Sequence, residues 1–255
     1  MIGLTITTCK RIDLFEKTIL TFVSECEDCN SIDVIIHYDD SSSLDDRNKM
    51  FTLLNTLFPD TLIISKRFNP NSFNTNRRHL EIMKKWKEDI KFFNVDYVFH
   101  LEDDWLFENK FSIQEGVELL KNNDEIAMVG FSWKRKIFPK ELFEPRIIGN
   151  FWEWYYSDKH YLNEPLFNDT VEETLHADKG MWIKYINWPY FGFRPAIHDV
   201  NKLNQIENFN DNMDSFELEF AIRFAKKFKS FLHSEKICYH IGDENSSYNL
   251  NNSLR

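Results

Sequence analysis

Glycine is scarce in this chain, at 7 of 255 residues, so asparagine and aspartate must serve many of its turns. Cysteine is scarcer still. The four are Cys9, Cys26, Cys29 and Cys238. Cys26 and Cys29 make one C-x-x-C with no second pair and no histidine at metal-ligand spacing, which reads as an incidental reduced pair rather than a zinc or redox site. No apolar run reaches membrane-spanning length, and the N-terminus lacks the charged region and long apolar core of a signal peptide. The expectation is a soluble, cytoplasmic protein without a transmembrane segment, in which the Asn-x-Ser/Thr matches at Asn168, Asn245 and Asn251 are chance. A basic face is missing too. Acidic residues number 41 against 31 basic ones, a net charge of -10, and no Lys/Arg-dense arm could track a phosphate backbone, which argues against a nucleic-acid partner. An acidic chain that binds a small phosphate compound needs isolated bases, such as Arg11 and Arg77, or a metal.

What is present is a large apolar content. Hydrophobic residues make up 42% and aromatics 16%, with 24 Phe, which excludes a disordered chain and gives enough bulk for one sizeable core. Leu4 and Ile6 alternate with Thr5 and Thr7 in an opening strand that runs into Thr8, Cys9, Lys10 and Arg11. Asp13 and Glu16 have capping-box spacing ahead of Leu14, Phe15, Ile19, Phe22 and Val23, so a helix is predicted there. Ile32, Val34, Ile35 and Ile36 form a second strand, Met50, Phe51, Leu54, Leu57 and Phe58 a second helix stopped by Pro59, and Leu62, Ile63 and Ile64 a third strand. Leu80, Met83, Trp86 and Ile90 mark a third helix. This β-α-β-α-β alternation implies a mainly parallel sheet with ligands at the carboxyl ends of its strands. No repeat or linker divides the chain, which reads as one domain over residues 1–255.

Acids follow two of those strands. Val95, Tyr97, Val98, Phe99 and Leu101 lead directly into Glu102, Asp103 and Asp104, and the two-residue alternation of a strand end delivers Glu102 and Asp104 to one side. Two such carboxylates suit Mg²⁺ or Mn²⁺, which take few protein oxygens and leave positions for water and substrate phosphate. A solvated acidic turn is the alternative. Asp39 and Asp40, ahead of Ser41 and Ser42, end the second strand in the same way.

Further on, Ser112 and Glu115 have capping-box spacing at the head of a helix that ends near Asn122, and residues 126–131 read as a strand. From 133 to 193 the chain is rich in Trp, Tyr, Phe and Pro with little periodicity, which predicts long loops and short strands. Trp152, Trp154 and Trp182 there could stack on sugar rings or simply pack the loops. Phe216, Phe220, Phe224 and Phe228, four apart, form the core stripe of a last helix over about 214–229, followed by a strand through Ile237, Cys238 and Tyr239 and then His240.

In this order the pieces resemble the GT-A type nucleotide-sugar glycosyltransferases, in particular glycosyltransferase family 2, over nearly the whole chain. The resemblance implies a Rossmann-like α/β fold whose residues 1–132 bind the nucleotide and whose residues 133–255 bind the acceptor in a loop-rich region. It makes Thr7, Thr8, Lys10 and Arg11 the nucleotide loop, and matches Asp39-Asp40-Ser41-Ser42 to the family's Asp-Asp-Gly-Ser, with Ser in place of Gly. Arg77 becomes a nucleotide contact. Glu102-Asp103-Asp104 matches the metal-binding Asp-x-Asp, with Asp104 the direct ligand, Glu102 or Asp103 facing the ribose or a metal-bound water, and His240 a third ligand or a diphosphate contact. Aligning the family's late Glu-Asp-x-Asp-Leu-x-x-Arg on Arg223 puts Glu217 on the catalytic base, with Asp214 as rival. Glu217 also has capping-box spacing from Asp214, and a lone histidine is often structural. The implied activity is a metal-dependent, inverting transfer of a sugar from a nucleoside diphosphate, UDP first, to a glycan or other hydroxyl acceptor. A sugar nucleotidyltransferase is the alternative enzyme, disfavoured by the absence of Gly between Thr5 and Arg11, and a non-catalytic carbohydrate-binding protein is the alternative outside enzymes.

Overall fold

The computed structural model describes residues 1–68, 75–134, 147–148, 154–156, 159–161, 173–177, 180–184, 191–210 and 216–242. In chain order these form β1 (Ile2–Thr8), α1 (Ile12–Glu25), β2 (Val34–Asp40), α2 (Leu44–Leu57), β3 (Leu62–Phe68), α3 (Thr75–Phe92), β4 (Tyr97–Glu102), β5 (Trp105–Phe107), α4 (Ile113–Lys121) and β6 (Ile126–Lys134). There follow β7 (Ile147–Ile148), β8 (Trp154–Tyr156), β9 (Lys159–Tyr161), β10 (Glu173–Ala177), β11 (Gly180–Lys184), β12 (Ala196–Asp199), α5 (Val200–Leu203), α6 (Phe216–Ala225) and β13 (Lys229–His240).

The expected alternation forms: β3, β2, β1 and β4 lie side by side, all parallel. Beyond β4 the sheet becomes mixed. β12 pairs antiparallel with both β4 and β6, β13 runs parallel to β6, and β5 and β7 run antiparallel to β13. A parallel neighbour requires a long crossover. β5 follows β4 after only Asp103 and Asp104, so a crossover is impossible, and β5 pairs instead with the end of β13. The remaining described strands are two hairpins, β8 with β9 and β10 with β11.

Two cores sandwich the sheet. On one face Phe15, Ile19 and Phe22 of α1, Met50 and Leu54 of α2, and Ile113, Val117 and Leu120 of α4 pack on Ile35, Phe99 and Leu101. On the other, Leu80, Met83, Trp86 and Ile90 of α3 and Phe216, Phe220 and Phe224 of α6 pack on Ile36, Tyr38 and Val98. The abundant phenylalanines meet at angles favoured by the ring quadrupole: Phe22 stands edge-on to Phe99 at 5.1 Å, and Phe209 stacks on Phe220 at 4.3 Å. Cover on both faces also changes the fate of polar strand residues. Thr5, which the sequence alternation would turn to water, is fully buried, and its Oγ1 accepts Trp86 Nε1–H at 2.9 Å and meets His100 Nδ1 at 2.9 Å.

Helix ends follow the capping rules at α4, where Ser112 Oγ accepts from Glu115 N–H at 3.0 Å, and at α2, where Ser43 does the same for Asp46. At α1 the structure differs from the capping box expected at Asp13. The helix begins at Ile12 with Arg11 as N-cap and no side-chain cap, because the backbone of Arg11 accepts from Leu14 and Phe15 while its side chain reaches across to the acids after β4. α6 is shorter than the predicted helix, since Lys229 already belongs to β13. Among the described residues no helix is long and apolar enough to cross a membrane.

Candidate functional site

The carboxyl ends of β1, β2, β4 and β13 open on one edge of the sheet, as does the segment 191–195 that enters the reversed strand β12. Arg11, at the head of α1, joins two of these ends. Its Nη1 donates to Asp104 Oδ2 at 2.8 Å, its Nε to Asp103 Oδ2 at 3.3 Å, and its Nη2 forms a short ion pair with Asp103 Oδ1. Asp103 also accepts the Cys9 backbone N–H at 3.0 Å and is fully buried. The end of β13 closes over this cluster. Ile241 N–H donates to the Asp104 carbonyl at 2.9 Å, His240 Nε2 lies 3.2 Å from Asp104 Oδ2, and the His240 ring packs on Trp105 at 5.0 Å. Gly242 is required by contact. A Cβ there would overlap Asp104 Oδ2 and lie 2.9 Å from Asp104 Cγ and 3.0 Å from Arg11 Nη1.

The three acids differ electrostatically. Burial pushes the Glu102 carboxyl up, as does the neighbouring Asp104 charge, against a hydrogen bond from Trp105 Nε1–H at 3.2 Å. Asp103 is also raised, chiefly by burial, which Arg11 only partly counters. Asp104 is the exception. Burial works to raise it, but the hydrogen bond from His240 and the Arg11 charge outweigh that and hold it below the ordinary carboxylate range. Of the three, only Asp104 is held below the ordinary range. Its Oδ1 is buried and has no hydrogen-bond partner.

The second acidic pair is built differently. Asp39 is fully buried, accepts Thr8 Oγ1–H at 3.3 Å, and lies 3.9 Å from Arg47 Nε, with Oδ2 left without a hydrogen bond. Burial raises its pKa. Asp40 is gripped by Arg78, whose Nε donates to both carboxylate oxygens at 3.0 and 3.2 Å. Ser41 takes a φ of 74°, the left-handed conformation that glycine adopts without strain, and its hydroxyl donates to Asp40 Oδ1 at 2.5 Å. Lys10 is likewise left-handed, with its N–H on Ser42 Oγ at 3.0 Å, so the loop after β1 and the turn after β2 are stitched together. Thr7, half-buried, sits between Tyr38 and Glu102 in the ladder.

Glu217, in the first turn of α6, is half-buried, and its pKa is raised by burial against the opposing influence of Arg194 and the Phe193 N–H. Its Oε1 would lie 3.3 Å from a Cβ on Gly192. Its charge adds a small upward push on the Glu102 carboxyl. Arg223, used to align that helix, forms a bidentate pair with Glu219, 2.6 and 2.7 Å, and bonds the carbonyls of Glu207 and Asn208.

Thr8, Lys10, Arg11, Asp39, Asp40, Glu102, Asp103, Asp104 and His240 thus lie at one sheet edge, where strand-end spacing put the acids, and Glu217 lies beside Gly192 of the segment that enters β12. Other expectations fall elsewhere. Among the described residues no three His, Cys, Asp or Glu side chains converge as a ready metal cage, so Asp104, Glu102 and His240 are neighbours without being a three-donor set. Asp214 and Trp152 lie outside the described residues, and Trp154 and Trp182 are placed only as backbone positions of β8 and β11. Arg77 lies on α3, but the residue that reaches Asp40 is Arg78. Arg78 was legible in the helical phase: Arg78, Ile82, Trp86 and Ile90 are four apart on the buried stripe, and an arginine on such a stripe needs a carboxylate. Arg194 and Gly242 had no comparable signal, because their roles depend on which strands become neighbours.

No family model and no curated protein matches the sequence. Solved structures do match in fold. S. aureus TarS 1–349 superposes with a TM-score of 0.57 at 10% identity over 95% of this chain and 61% of that one. The same protein in complex with UDP-GlcNAc gives 0.57 at 10% identity, over 93% and 57% respectively. The mannosyltransferase PcManGT from Pyrobaculum calidifontis, in complex with GDP-Man and Mn²⁺, gives 0.61 at 10% identity over 98% and 59%. The chain therefore spans about three fifths of the length of these structures, and the likeness is one of fold: an α/β architecture with a mixed sheet of the kind glycosyltransferases use.

Proposed function

We propose that the chain is a GT-A type glycosyltransferase that moves a sugar from a nucleoside diphosphate, UDP first, to a hydroxyl acceptor with inversion. The observation that carries this reading is the joining of the β1 loop to the acids after β4 through Arg11, at the carboxyl edge where open α/β sheets bind ligands. Thr8, Lys10 and Asp39 line the nucleotide side, with Asp39 Oδ2 a buried acceptor for a base N–H or a ribose hydroxyl. Arg11 and His240 flank Asp104, where a donor diphosphate would need cations. Glu217 takes the acceptor proton. A carboxylate whose pKa burial has raised is a stronger base than a solvated one, and it gains that strength next to the site rather than in water.

The donors fit a hard divalent ion by chemistry. Asp104 is held anionic with a buried oxygen unused, Glu102 stands two residues away, and Mg²⁺ or Mn²⁺ needs only one or two carboxylates when phosphate and water complete the shell. Asp104 Oδ1 would be the principal ligand, with Glu102 and His240 beside it. When bound, the ion neutralises charge on the leaving diphosphate.

A thermal-shift panel of nucleotide sugars with and without Mn²⁺ tests the reading. A ligand at about 100 times its Kd adds about 2.7 kcal/mol to apparent stability. The expected result is stabilisation by one nucleotide sugar that grows with Mn²⁺ and falls to its metal-free level in Asp104→Asn. Stabilisation by none of them, or metal-dependent binding unchanged in Asp104→Asn, would overturn it.

A further inference from the structure

The Cys26–Cys29 pair lies at the far end of α1 from the site just described, and its geometry adds three facts to the bare spacing. Residues 27 and 28 form a tight turn between the end of α1 and a short 3₁₀ segment, Cys29–Ser31. Such a turn brings its flanking Cα atoms within about 7 Å, inside or close to the span of about 4.4 to 6.8 Å that a disulfide bridges. The backbone on both sides is pinned. Cys26 N–H bonds the Phe22 carbonyl at 2.8 Å, Glu27 N–H bonds Phe111 at 2.9 Å, and Ile32 N–H bonds Cys29 at 3.2 Å.

The two thiols are also unequal. Cys26 is buried and Cys29 half-exposed, and Cys29 Sγ lies 3.6 Å from the Cys26 carbonyl. Cys29 Sγ also approaches the Val23 carbonyl, at 4.0 Å. The half-exposed sulfur is the one an incoming disulfide can reach and the buried one can act only after it, the division of labour between an attacking and a resolving thiol. Asp28, between them, accepts Cys26 Sγ–H on Oδ1 at 3.4 Å and also takes Ser112 Oγ–H and the N–H groups of Ile113 and Gln114 at the head of α4, at 2.7 to 2.8 Å.

We infer that Cys26 and Cys29 form a thiol–disulfide exchange site for low-molecular-weight disulfides, with Cys29 attacking and Cys26 resolving. The Cys29 thiolate attacks one sulfur of the small disulfide; that S–S bond breaks, one thiolate leaves, and a mixed disulfide remains on Cys29. Cys26 then attacks Cys29 Sγ and gives its proton to the second departing thiolate. Two protein thiols are oxidised to a disulfide, and one small disulfide is reduced to two thiols. This site stands independently of the sugar-transfer reading.

The test equilibrates the full chain with graded ratios of reduced to oxidised glutathione, then maps free thiols by alkylation and mass spectrometry. The expected result is a loss of about 2 Da, localised to a Cys26–Cys29 disulfide. Buried Cys9, whose pKa is pushed up to about 12, and buried Cys238 stay reduced and serve as internal controls. Cys26→Ser should retain glutathione on Cys29, since nothing resolves the adduct, and Cys29→Ser should acquire none on Cys26. Four free thiols at the most oxidising ratio would overturn the inference, as would a glutathione adduct on Cys26 in Cys29→Ser.

Discussion

Arg78 donates one guanidinium N–H across both carboxylate oxygens of Asp40, at 3.0 and 3.2 Å, and thereby ties α3 to the end of β2 beneath the acidic edge. Both side chains are less than a tenth exposed. Removing one partner of a buried pair strands the other charge, which costs about 3–5 kcal/mol. Arg78→Ala should therefore lower the unfolding free energy measured in urea by an amount of that order, and nucleotide binding should fall with it. A variant as stable as the parent would mean that Asp40 finds another cation.

The substitution Glu217→Gln preserves shape and removes basicity. Transfer should fall about 10² to 10⁴-fold while donor binding and melting temperature hold. Because burial raises the Glu217 pKa, the acid limb of the parent's kcat/KM profile should lie above the ordinary carboxylate range, with activity rising as pH rises through it. Near-normal transfer in this variant, with a collapse in Asp214→Asn, would move the base to Asp214.

Gly242 tests the packing of β13 on the acidic motif. In Gly242→Ala the new methyl group must displace Asp104 or Arg11, which are locked together at 2.8 Å, so the strain falls on the site itself. Overpacking of this kind costs about 1–3 kcal/mol. Nucleotide affinity should drop more than stability in this variant; the reverse order would show that Gly242 serves only the fold.

His198 supplies a pH test. Both of its ring nitrogens are buried without hydrogen-bond partners, and burial lowers its pKa from 6.5 to about 3. A lowered folded-state pKa means that below about 6.5 the unfolded chain binds a proton the folded one refuses, so stability is lost as pH falls from there towards the folded value. The loss is about 1.4 kcal/mol per pH unit for one histidine. Carboxylates with raised pKa values, Glu102 and Asp103 among them, run the opposite way, so the variant rather than the parent alone isolates the effect. Denaturation of parent and His198→Leu between pH 7 and pH 5 should show the parent losing stability more steeply by that amount; parallel curves would mean that His198 is protonated or solvated in the folded state.

The sequence by itself determined the parallel half of the sheet and the edge on which its acids would meet. Alternation of strand and helix puts every parallel carboxyl end on one side, so Asp39, Asp40, Glu102 and Asp104 had to share an edge whatever the packing. It also determined the Ser112 cap and the buried phenylalanine stripe of α6, both set by spacing within a few residues. The tertiary structure decided what depends on contacts between distant segments. The strand order β4-β12-β6-β13 brings the end of β13 against the Asp103–Asp104 turn, more than 130 residues away in sequence, and so assigns His240 and Gly242 to Asp104. Cover on both faces buried Thr5, His100 and His198, whose polarity marked them for water. The head of α1 lies two residues ahead of the cap expected at Asp13, with Arg11 as N-cap and its guanidinium on Asp103 and Asp104, acids that only the pairing of β1 with β4 brings within its reach.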